Sequence, residues 1–258
     1  MLIVSTATID DQLLIATEHP PAIQCIHWQE PTKNSHTELI AKMSWIKEKS
    51  PVVQMVFDKP TSLFAWITRD GKAYAVRRPP AQQHQTELKK GQKLWKGWLF
   101  HDKPEDKAIC GCINARFSLI AVACESGAID VYVAKDYSGN IPFSHRILPP
   151  REEYRPDSRV TQLAYSPDGY ALFVGTTSGW YLWSVYGHLL ASSFIFNIST
   201  SNPGESNGSS TSGGYVDGVL DCCWAATGLH LLALAQDSPL LYSLPFARSV
   251  VTSCYNPV

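Results

Sequence analysis

Between Val160 and Leu189 the chain reads VTQLAYSPDGYALFVGTTSGWYLWSVYGHL, three short apolar runs separated by Ser-Pro-Asp-Gly and Ser-Gly. Alternation with a period of two, broken at such dipeptides, is the pattern of successive hairpin strands. Each break has a local cause. Pro167 presets φ at the second position of a turn, and Gly169 and Gly179 accept positive φ because they carry no Cβ. A meander of three or four strands cannot bury both of its faces by itself. It needs similar sheets stacked on either side, so the rest of the chain is expected to repeat the plan.

It does. Val219 to Leu244 gives an apolar run with Trp224, a turn at Thr227-Gly228, the run LHLLALA, a turn DSP and the run LLYSL. Ala108 to Val133 gives AICGCIN, the turn NARF, SLIAVAC, the turn ESG and AIDVYV. Val52 to Val76 gives VVQMVF, the turn DKPTS, LFAWIT, the turn RDG and KAYAV. The opening residues Leu13 to Trp28 keep only the second half of the pattern, LLIAT and AIQCIHW around EHPP. The second turns, marked by Pro21, Gly71, Gly127, Gly179 and Pro239, lie 50 to 60 residues apart. That is longer than the ~40–45 residues of a WD40 repeat and near the ~50 of kelch, so connectors carry the surplus. The expected fold is all-β: one domain over residues 1–258, a WD40-like β-propeller fragment of about four to five blades. Because propellers close with about four to eight blades, the ring is expected to be incomplete, starting in mid-blade and stopping soon after a strand.

The connectors are the segments 29–51, 77–107 and 135–159. In the first, Leu39, Ile40, Met43 and Ile46 fit helical spacing, and the piece around Glu38 to Ile46 reads equally as helix or as outer strand. Residues 197–218 are Ser/Gly/Asn-rich and cannot bury enough apolar surface to order themselves, so a disordered loop is expected there.

Composition narrows the classes. With 258 residues, 45% of them hydrophobic, and a net charge of −1, the chain has an ordinary globular make-up that calls for no nucleic acid partner. The longest apolar runs fall far short of the ~20 residues of a membrane-spanning helix. The opening MLIVSTATIDD lacks the basic flank of a secretory signal. Seven cysteines without regular spacing suit reduced thiols and a cytoplasmic setting better than a disulfide framework.

Catalytic and metal signatures are weak. Cys110-Gly-Cys112 and Cys222-Cys223 are not the CxxC that places two thiolates on one zinc, and both lie in apolar runs where a thiol behaves as a small hydrophobe. His27 and His230 lie in strand-like runs without a local nucleophile motif. No catalytic, cofactor or metal residue is therefore expected. Trp180, Tyr181 and Trp183 are candidates for holding a sugar face, as in a propeller carbohydrate-binding or hydrolase domain, but neighbours in a strand point to opposite faces. The candidate contact residues are Lys89, Lys90, Lys93, Trp95, Lys96 and Trp98, where cations interleaved with tryptophan suit an anionic membrane surface or a partner. The plainer reading is a solvated loop whose tryptophans pack on a blade. Asn197 and Asn207 head glycosylation-type triplets of a kind common by chance in Ser/Asn-rich sequence.

Several segments, in order, resemble the Ric-one (ribosome control protein one) family. YSPDGYALFVGTTSGWYLWSVYGHLL is similar to the propeller segment of that family with its W-S-P-D run and its L-W-S-V-F-G run. LLIATEHPPAIQCIHW is similar to the blade ending in I-H-W, FAWITRDGKAYAV to the F-x-D-G-K segment, and INARFSLIAVACESGAIDVYV and LDCCWAATGLHLLAL to the blades around it. The chain departs from the pattern at Pro20-Pro21, where a Gly turn is usual, and in the Ser/Gly-rich loop. The resemblance implies a non-catalytic propeller scaffold in a two-protein guanine nucleotide exchange factor. Its partners would be a second subunit and a Golgi Rab-type GTPase, in retrograde endosome-to-Golgi transport, at the cytoplasmic face of the Golgi membrane. It supplies no catalytic residues to carry over. A generic WD40-like interaction module of another complex is the alternative.

Overall fold

In the computed structural model, the described residues are 3–9, 12–18, 22–27, 38–39, 50–77, 98–135, 140–150, 158–193, 218–225, 228, 230–235 and 241–245. Their regular structure is all β. The strands are β1 Ile3–Ile9, β2 Gln12–Thr17, β3 Ala22–His27, β4 Glu38–Leu39, β5 Val52–Asp58, β6 Leu63–Thr68, β7 Lys72–Arg77, β8 Trp98–Asp102, β9 Ala108–Asn114 and β10 Leu119–Cys124. They continue with β11 Ile129–Val133, β12 Phe143–Ile147, β13 Val160–Tyr165, β14 Ala171–Thr176, β15 Gly179–Ser184, β16 Leu189–Ser192, β17 Val219–Trp224, β18 His230–Ala235 and β19 Leu241–Pro245. They form five sheets, each a meander of consecutive strands: β1–β4, β5–β8, β9–β12, β13–β16 and β17–β19. This is the blade arrangement of a β-propeller.

The chain divides into two compact units, Met1–Cys124 with Asp130–His145, and Glu125–Ile129 with Arg146–Val258. In the first unit, β6 shows why the second strands read as unbroken apolar runs instead of alternating ones. Phe64 and Trp66 join Leu14, Ala16, Val52, Met55 and Val76 in one cluster, while Leu63, Ala65 and Ile67 join Ile120, Val122 and Tyr132 in another. Both faces of the strand are covered, and all six of its residues are buried. Trp66 stacks on Tyr74 at 5.6 Å. In the second unit Phe173, Trp180 and Leu182 pack against Val219, Leu231 and Ala233, with Phe173 and Trp180 stacked at 5.9 Å.

The turns are held by their own side chains. Ser166 Oγ donates to Asp168 Oδ1 (2.6 Å), Tyr170 N–H donates to the same carboxylate (3.1 Å), and Gly169 closes the turn at φ +77°. Asp58 and Asn114 accept from the backbone N–H three residues on, at Thr61 and Phe117, and Ser62 and Ser118 then take positive φ. These Asx turns are what the short polar breaks between runs encode.

Two expectations change. The first sheet is not a half blade: Ile3–Ile9 pairs antiparallel with β2, so that sheet has four strands. Its alternation, IVSTATI, is carried mostly by Ser, Thr and Ala, which is why it reads weakly as a strand. The three connectors are also more than loops, since each supplies the outermost strand of its sheet: β4, β8 and β12. Glu38–Leu39 pairs with Gln24 and Cys25, so that part of the ambiguous piece is outer strand. Residues 197–217 lie outside the described residues.

Candidate functional site

Strand β8 brings the chemistry of the first unit together. His101 is buried, whereas Leu99 and Asp102 on the same strand are exposed. Asp130 and Tyr132 are two residues apart on β11 and so share a face. That face meets His101: the Tyr132 hydroxyl lies 2.9 Å from Nδ1, and the Asp106 carbonyl lies 3.2 Å from Nε2. A carbonyl only accepts, so Nε2 carries the proton and Nδ1 presents its lone pair to the Tyr132 O–H. Lys103, in the loop after β8, reaches back so that its ammonium donates to Asp130 Oδ2 at 2.6 Å. The Cys124 thiol at the end of β10 lies 3.6 Å from the same oxygen.

Tyr132 is packed edge-on against Phe100 (5.0 Å) and Phe143 (5.8 Å), and Lys103 Nζ lies 5.1 Å from the Phe143 ring centre. His101, Cys124 and Asp130 are all at most 1% exposed. Burial is the main reason that the His101 pKa is lowered; the Asp106 carbonyl and the Asp130 charge oppose the shift without reversing it. The imidazole is therefore neutral. A Cys–His–Asp set enclosed in this way offers no access to a substrate, and its evident work is to tie the outer strand of one sheet to the third strand of the next.

None of these residues was singled out by sequence patterns. The available signal was Asp130, a carboxylate inside the apolar run AIDVYV. Of the predicted contact residues, Trp98 opens β8 opposite Ala75, is half-buried, and packs against the Phe64–Trp66 cluster. Lys89, Lys90, Lys93, Trp95 and Lys96 lie outside the described residues, as do Asn197 and Asn207. Trp180, Tyr181 and Trp183 are all buried, so they form no open platform for a sugar. Cys110 and Cys112 are buried, with the Cys110 thiol pushed up to about 12 chiefly by burial, while Cys223 is exposed. Among the described residues no helix is long and apolar enough to cross a membrane.

No family model matches the chain. It is similar to the guanine nucleotide exchange factor subunit ric1 of Schizosaccharomyces pombe, 24% identical over 204 residues, covering 71% of this chain and 19% of that protein. It is similar also to the guanine nucleotide exchange factor subunit RIC1 of Mus musculus, 24% identical over 206 residues, covering 72% of this chain and 14% of that protein. The chain thus spans less than a fifth of the length of these relatives. Among solved structures it resembles the Cps50 (Swd1) β-propeller domain of Myceliophteria thermophila, with a TM-score of 0.61, 11% identity, 93% of this chain covered and 67% of that one. It resembles a putative 6-phosphogluconolactonase from Bacteroides uniformis as well, with a TM-score of 0.62, 13% identity, 95% of this chain covered and 67% of that one. At those identities the likeness shows the fold alone, a β-propeller. The sequence matches bear out the resemblance read from the blade segments: this chain is a β-propeller similar in sequence to Ric1 guanine nucleotide exchange factor subunits.

Proposed function

We propose that this chain is the propeller region of a guanine nucleotide exchange factor subunit, working as a binding scaffold for a second subunit and a Golgi Rab-type GTPase in retrograde endosome-to-Golgi transport. The observation that carries the reading is the match to two exchange-factor subunits over about seven-tenths of the chain. The site chemistry agrees with it, because the polar cluster around Asp130 is enclosed and ties sheets together. Propellers present loops and strand edges on a rigid frame, and such surfaces suit protein recognition. Function on this reading lies at the Golgi membrane from the cytoplasmic side, with the lysine-rich segment 89–96 as a membrane or partner contact.

The test is reconstitution. The chain, produced alone and within the longer protein, is mixed with the second subunit and with a panel of nucleotide-free Rab GTPases. Retention of the second subunit, and of a Golgi Rab in preference to the others, is expected. Failure of both preparations to retain either partner would remove the proposal.

A further inference from the structure

The cluster around Asp130 has the composition of a metal site as well as that of a clamp. His101 Nδ1 lies 3.7 Å from Asp130 Oδ2, Cys124 Sγ lies 3.6 Å from the same oxygen, and the ligand atoms of the three residues all lie within 4.8 Å of one another. Zinc holds sulfur at about 2.3 Å and nitrogen or oxygen at about 2.0–2.2 Å, so donors on a tetrahedral ion stand about 3.5 Å apart. Two edges of the cluster already have that length. The His101 ring has its outer N–H on a backbone carbonyl, as metal-bound histidines do, and its Nδ1 lone pair, which accepts from the Tyr132 O–H without metal, becomes a ligand once that hydroxyl turns aside.

We propose that His101, Cys124 and Asp130 bind a divalent transition-metal ion of the zinc type, and that Lys103 holds the place of the cation until one arrives. Lys103 Nζ is itself a cation 2.6 Å from the carboxylate, carried on a flexible stem with one-third of its side chain exposed, so it can withdraw to solvent. Charge balance supports the exchange. Without metal the enclosed set holds a carboxylate, a neutral imidazole, a thiol and an ammonium, which sum to zero. With metal it holds a carboxylate, a thiolate, a neutral imidazole and an ion of charge two, which again sum to zero. Binding therefore releases one thiol proton and one lysine side chain to water and leaves no net charge buried, the condition that a dry site imposes. The mixed sulfur, nitrogen and oxygen set favours zinc or cobalt over magnesium or calcium, which take oxygen ligands.

The probe is cobalt(II), titrated into the reduced full chain and followed by absorbance. A thiolate-to-cobalt charge-transfer band that saturates at one equivalent, is bleached by zinc, and disappears in Cys124→Ser supports the site. In Lys103→Met the ion no longer competes with an ammonium and instead neutralises a stranded carboxylate, so binding is expected to tighten by roughly a hundredfold. Loss of the band in a variant counts only if its circular dichroism matches that of the parent. Zinc-edge X-ray absorption of the zinc-loaded, unmutated chain is independent of any variant and is expected to show one sulfur at about 2.3 Å beside nitrogen and oxygen neighbours. Absence of the band under excess cobalt, its survival in Cys124→Ser, or a zinc shell without a single sulfur overturns the proposal.

Discussion

Lys103 Nζ donates to Asp130 Oδ2 at 2.6 Å, and the carboxylate that accepts is fully buried while the lysine stem reaches solvent. Removing the lysine strands a buried charge, the situation in which half of an ion pair costs more than the pair contributes. In chelated buffer, Lys103→Met is expected to destabilise the chain by about 3 kcal/mol. The double variant Lys103→Met with Asp130→Asn is expected to lose less than the sum of the single changes. Urea unfolding of the four proteins measures the coupling, and strict additivity would show that the two groups do not sense each other.

His101 and His145 both have lowered pKa values, in each case mainly through burial. The unfolded chain then takes up protons that the folded chain refuses, so stability falls as pH drops from the ordinary histidine value toward the folded one. Above that window the contribution is fully present. Thermal unfolding in chelated buffer is expected to show a melting temperature that declines from about pH 7 to pH 5, with His101→Gln and His145→Gln each flattening the decline. An unchanged slope in both variants would assign the pH response to other groups.

Gly71 and Gly187 have nearly the same φ, +84° and +85°, in different surroundings. A Cβ on Gly71 would fall on the Lys107 side chain and close to its backbone, whereas one on Gly187 would meet only Ile147 Cγ1, at 3.6 Å. Gly71 also links two sheets, since Ala108 N–H donates to its carbonyl at 3.0 Å. Gly187→Ala is expected to cost about 1 kcal/mol from the backbone alone, and Gly71→Ala about 3 kcal/mol or more because Lys107 must move as well. Equal losses in chemical denaturation would refute the steric part.

Changing Lys89, Lys90, Lys93 and Lys96 together to Ala tests the membrane contact. Each lysine near an anionic surface contributes on the order of 1 kcal/mol before screening, so salt-sensitive binding to phosphatidylserine-containing vesicles is expected to fall by two orders of magnitude or more without a change in melting temperature. Parent and variant floating equally well with vesicles would leave this segment no membrane role. Trp98, packed against the first-unit core, is expected to affect stability instead.

The strands from β5 to β7, β9 to β11, β13 to β15 and β17 to β19 are legible from residue order. Their turns are local chemistry, such as Ser166-Pro167-Asp168-Gly169, and their alternation or unbroken apolarity reports how many faces are covered. Outer strands β8 and β12 are not legible in that way, because Leu99 and Phe143 are exposed and only pairing to the neighbouring strand makes those residues β. The polar cluster lies further from reach. His101, Cys124 and Asp130 come from an outer strand, a second strand and a third strand of two sheets, and no spacing along the chain encodes that meeting. Local sequence sets where the chain turns and which residues avoid water. Which buried polar groups face one another depends on how one sheet is laid against the next, and that is settled by the summed packing of both faces, with Asp130 held wherever a cation and a donor can reach it.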